Sequence, residues 1–163
     1  MPSEPEDRRH LTAAQGYLEL GMFLDADAEL EEIDPGCRHL PEVLAVRLEI
    51  CRGLKKWNLM ETVARRLAEY EPENVQWPLS WAYATRRVDS IAAARAILLK
   101  AVERHPEAAT VHFNLACYEC QLGNLELARG HLKLAFKLKP QSRMMALEDE
   151  DLEALWESLA SDT

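Results

Sequence analysis

An all-α solenoid, built from four helix–turn–helix units and closed by a C-terminal capping helix, is the fold that this sequence predicts. Three observations carry the prediction. The chain repeats at a period of 34 residues: Gly21, Lys55, Asp89 and Gly123 share one offset, Ala26, Met60, Ala94 and Ala128 another, and Leu30, Ala64, Leu98 and Leu132 a third. Ile33, Leu67, Ala101 and Ala135 keep the spacing, as do Pro72, Pro106 and Pro140. A fixed period of this length marks a repeat architecture, in which neighbouring units bury each other's apolar faces. Finally, no segment alternates apolar and polar residues as a half-buried strand would.

Setting the shared Gly21 offset at the fifteenth place of each unit gives frames 7–40, 41–74, 75–108 and 109–142, with residues 1–6 expected to be disordered. The first frame has no proline at Arg38, but Pro35-Gly36 stops the second helix early. The second frame carries Leu48 and Met60 where its neighbours have small residues, partly offset by Ala64. In the third, Pro78 falls in the first turn of a helix, where a missing N–H does little harm. The fourth is the most regular, with Gly123-Asn124 at the turn followed by Ala128, Leu132, Ala135 and Pro140. Small side chains at Ala14, Ala82, Ala116, Ala26, Ala94 and Ala128 allow paired helices to approach to about 8–10 Å. Beyond Pro140, Leu147, Leu152, Leu155, Trp156 and Leu159 recur at helical spacing among acids, so 143–160 is expected to cap the exposed end of the array. Asp149 or Asp151 is expected to cap its last short helix.

The period, the small residues and the closing prolines resemble the tetratricopeptide repeat family, with His112, Leu115 and Ala116 standing where its motif has Trp, Leu and Gly. The segment Ala146–Trp156 resembles the closing segment of some bacterial members. The resemblance implies a right-handed superhelix whose first helices line a concave groove. Carried over position by position, it implies a peptide-binding groove of Leu11, Gln15, Ala45, Glu49, Arg52, Leu79, Tyr83, Arg86, Arg87, Phe113 and Cys117. Leu11, Ala45, Leu79 and Phe113 would form an apolar floor, Tyr83 an aromatic wall, and Arg52, Arg86 and Arg87 a cationic rim suited to a segment with apolar anchors and a carboxylate. Members that grip chaperone tails use lysines and asparagines where this chain has Leu11, Gln15, Val46 and Ser80, so that clamp is absent.

Composition excludes several other functions. The net charge of −9 is concentrated at the ends: residues 1–40 hold −7 and 143–163 hold −6, leaving +4 between them. Nucleic-acid binding needs a basic face and is not expected. No apolar run approaches the roughly 18–20 residues of a membrane span. Met1 to His10 lacks the apolar core of a signal peptide, which makes the cytoplasm the expected compartment. The four cysteines, Cys37, Cys51, Cys117 and Cys120, read as reduced thiols. Cys117-Tyr-Glu-Cys120 reads as structural, because no βαβ pattern accompanies it and a zinc site wants four ligands. No phosphate-binding glycine loop, G-x-S-x-G or H-E-x-x-H occurs. Neither an enzyme, a metal nor a cofactor is therefore expected. The leading reading is a protein-interaction module with a protein or peptide partner. The alternative is a small acidic secretion-type chaperone that shields an apolar client segment, and a third is self-association into a homo-oligomer through repeat ends.

Overall fold

The computed structural model describes residue 2 and residues 4–161, in which all regular structure is helical and no strand forms. The expectation of disorder over 1–6 falls partly outside the described residues; within them, Pro5 and Glu6 already belong to the first helix. The chain divides into two compact units, Met1–Ala84 and Thr85–Thr163.

The first unit holds α1 (Pro5–Glu19), α2 (Phe23–Glu32), α3 (Pro41–Gly53), α4 (Trp57–Tyr70) and the beginning of α5 (Gln76–Val88). Pro5 and Pro41 open α1 and α3, where the fixed φ of proline suits the first turn and its missing N–H leaves nothing unpaired. Helices α1 and α2 pair, as do α3 and α4, and α3 also packs on α1 and α2. The reason lies in α3, which is apolar on two sides. Val43, Val46 and Ile50 join Leu11, Ala14, Ala26, Leu30 and Ile33 in one core. Leu48 and Cys51 join Met60, Val63, Ala64 and Leu67 in another, against Trp57, Trp77 and Trp81. Leu48 and Met60, both bulky where small residues were expected, fit because this second core is finished by Ala64 and Ala84.

The second unit holds the end of α5 with α6 (Ile91–Arg104), α7 (Ala109–Gln121), α8 (Leu125–Leu138), α9 (Ser142–Ala146), a 3-10 segment (Glu150–Leu155) and α10 (Trp156–Ser161). Helix α7 is covered on several sides: α6 and α8 pack against it, and so does the 3-10 segment. The buried Glu119, 1% exposed, ties this arrangement together. Arg95 of α6 donates to one carboxylate oxygen at 2.5 Å, and Asn124, at the turn before α8, donates to the other at 2.7 Å. A buried carboxylate is tolerable only when paired in this way.

Three of the turns inside helix pairs are the same motif. The amides of Met22, Lys56 and Asn124 each bond the carbonyl five residues back, on Tyr17, Cys51 and Glu119, at 2.8–2.9 Å. The residue before each of these amides has positive φ: Gly21 at 72°, Lys55 at 57° and Gly123 at 82°. This closure satisfies the last helical carbonyls and needs a left-handed residue, which is why glycine recurs there. Between α5 and α6 the solution differs. Ser90 caps α6 by accepting the Ala93 amide at 3.1 Å, and Asp89, at the matching offset, has no positive φ.

Candidate functional site

In the first unit, three of the groove residues implied by the resemblance meet. Arg52, in the last turn of α3, donates to Glu49 at 3.1 Å and to the hydroxyl of Ser80 on α5 at 3.0 Å. Its guanidinium lies 5.7 Å from the centre of the Tyr83 ring. The Tyr83 ring meets that of Trp57, at the start of α4, in a T-shaped arrangement with 5.8 Å between ring centres. Tyr83 nevertheless stays 37% exposed. Sequence reasoning missed Ser80 and Trp57 as members of this cluster. Of the remaining positions, Gln15 is exposed, Ala45 and Leu79 are half-buried, and Leu11 is 2% exposed within the core of α1–α3.

In the second unit, Arg86, Phe113 and Cys117 lie beside the chain's own C-terminal segment. Arg86 donates through both terminal nitrogens to the Asp151 carboxylate, at 2.6 and 3.2 Å. The same guanidinium lies 5.5 Å from the Tyr118 ring centre. Bidentate arginine–carboxylate geometry is the strong form of the ion pair, and this bond raises Arg86 above its ordinary range. Gln121 donates to the Asp151 carbonyl at 3.0 Å. Asp149 caps the 3-10 segment by accepting the Asp151 amide at 3.0 Å, and its other oxygen faces Cys117 Sγ at 3.8 Å. Phe113 and Cys117 are buried, whereas Arg87 is exposed. Asp149 and Asp151 are the partners that sequence reasoning did not connect to the groove positions. Their spacing gave no signal, since Arg86 and Asp151 are 65 residues apart.

All four cysteines are free thiols. Burial, followed by the charges of Asp149 and Asp151, pushes the Cys117 thiol far up, so its sulfur keeps its proton and donates. Burial also raises Tyr118, to about 12. Donor atoms of Cys117, Asp149 and Asp151 come within 4.8 Å of one another, a spacing a cation could use. With Asp151 already matched by Arg86 and the thiol protonated, the three act as a hydrogen-bonded clasp.

Helix pairs repeating at 34 residues, with the same left-handed closure at three of their turns, define a helical-repeat fold of the tetratricopeptide type. Solved structures similar to this chain include several of MamA. MamA of MSR-1 superposes with a TM-score of 0.70 at 22% identity, covering 82% of this chain and 76% of that chain. An RS-1 MamA double mutant gives 0.75 at 14% identity, covering 85% and 79%. MamA of AMB-1 gives 0.70 at 17% identity, covering 94% and 82%. At these identities the likeness is one of fold. No family model and no curated protein matches the chain.

Proposed function

We propose that this chain is a non-catalytic protein-interaction module that takes a peptide or protein segment on the faces of its first helices, along the concave groove that the repeat resemblance implies. Four repeats over 7–40, 41–74, 75–108 and 109–142, with 143–160 as a cap, are part of the same reading, as is a cytoplasmic setting. No described helix is long and apolar enough to cross a membrane.

The observation that carries the reading is the Arg52–Tyr83–Trp57 cluster. An arginine held above a part-exposed tyrosine presents an apolar surface and a fixed cation side by side. Tyrosine and arginine of this kind are the residues that dominate binding interfaces. Co-purification from the native cell tests it, comparing the wild-type chain with Tyr83→Ala. If Tyr83 is an interface anchor, the substitution weakens the partner by about 2 kcal/mol and leaves the helical content intact. If the partner is retained at equal affinity per folded molecule, or if no protein is enriched by the wild-type chain, the reading fails.

A further inference from the structure

We propose that residues 149–155 are a built-in competitor, occupying in cis the ligand face of α7 and Arg86. The ligand that displaces them would be an acidic, leucine-bearing segment of a partner protein. The inference rests on the reading of the first-helix faces as binding surfaces. Two of the positions that the resemblance marks as ligand-facing, Arg86 and Cys117, grip Asp151 and Asp149, and Gln121, one turn beyond Cys117, holds the Asp151 carbonyl.

The grip has the form of peptide recognition. Arg86, backed by Tyr118, forks onto a carboxylate, and Gln121 reads a main-chain carbonyl, a contact that does not depend on the side chain of the bound segment. Leu152 and Leu155 are fully buried and act as the apolar anchors. The segment's own structure is weak. It is six residues of 3-10 helix, a form with poor hydrogen-bond geometry that rarely runs beyond about 3–4 residues, so the face beneath it fixes its conformation. Nor does it use the whole face. A cleft of about 250 Å³ opens beside Asp149, lined by Thr110, Phe113, Asn114 and Met145 among others. A ligand that reproduced the Asp151 and leucine contacts and also filled this cleft would gain contacts that the cis segment lacks. It needs that gain, because a tethered competitor acts at an effective concentration in the millimolar range.

The test uses the full chain and, as probe, a fluorescent peptide with the sequence of residues 146–161. Leu152→Asp with Leu155→Asp should free the segment while leaving Arg86, Cys117 and Gln121 in place. Asp149→Ala with Asp151→Ala serves the same purpose if the first pair fails to fold. Hydrogen exchange at 149–155 should accelerate in the opened chain. The opened chain should then bind the peptide at least about tenfold more tightly than wild type, and adding Arg86→Glu should abolish the gain. Equal affinity of wild-type and opened chains, a gain that survives Arg86→Glu, or unchanged exchange at 149–155 each overturn the proposal. So does a wild-type dimer held by exchanged segments. The assay needs no natural partner, so its failure is distinct from failure of the co-purification experiment.

Discussion

Single residues show where the repeat pattern is kept at a cost. Lys55 holds the left-handed position that Gly21 and Gly123 fill elsewhere, and a side chain there costs about 1–2 kcal/mol. Glycine also makes the unfolded chain more flexible, which offsets part of the relief. Lys55→Gly should therefore raise stability by a net of about 0.5–1 kcal/mol in a denaturant titration. Gly53 is the opposite case. A Cβ at this position would overlap the ring of Phe23, so α3 approaches α2 closely only because the side chain is missing. Gly53→Ala should lower stability by about 1–3 kcal/mol through overpacking. Gly130, in α8 with nothing near the site of its absent Cβ, is the control, and Ala there should stabilise by about 0.5–1 kcal/mol. His131 gives the chain a pH dependence. His112 donates through Nε2 to the Pro106 carbonyl at 2.8 Å, so its Nδ1 accepts from His131 at 3.3 Å. Burial first, then His112 and Arg95, lower the pKa of His131, against an opposing pull from Glu119. A lowered histidine costs nothing above its unfolded value of about 6.5; as pH falls below that value the unfolded state takes up the proton first and stability is lost. The melting temperature should drop between pH 7.5 and 5.5, and His131→Gln should make the drop smaller.

At the scale of elements, the C-terminal segment is the piece with most at stake. Leu152 and Leu155 are fully buried and Leu159 nearly so. Arg143 donates to the Leu159 carbonyl at 3.0 Å and lies 5.7 Å from the Phe136 ring centre, and Trp156 donates to the Ala146 carbonyl at 3.0 Å. Each large apolar side chain contributes about 1.5–3 kcal/mol when buried. Deleting 143–163 should therefore lower the melting temperature sharply and promote association, as read by calorimetry and light scattering. An unchanged melting temperature would mean that these burials contribute nothing. The element that the sequence left least legible is the same one. Its acids read as capping and solubility, and one of them, Asp149, does cap the 3-10 segment. Its neighbour Asp151 instead holds Arg86, a pairing that exists only once the chain has folded back over 65 residues.

For the molecule as a whole, the period made the fold class legible, because a repeat repays the same local choices at every turn. The helix pairs and the turn at Gly123 follow from local chemistry that a sequence displays directly. What stayed hidden depends on distant partners. Leu11, placed by the resemblance in an apolar groove floor, lies inside the core of α1–α3, because α3 brings Val43, Val46 and Ile50 to it. Likewise, the pattern marked Arg52 and Tyr83 as ligand-facing but gave no sign that Ser80 and Trp57 would join them.

The notch at Gly53 has a consequence for how such an array can be lengthened. Phe23 finds its recess 30 residues on, in the following 34-residue frame. Were residues 7–40 copied in tandem, the first copy's Phe23 would meet the residue at the same offset in the duplicate, which is Glu19 rather than glycine. The order of the first two 34-residue frames is thus written into their side chains, and a recombination that shuffled them would meet a steric penalty at its first new junction.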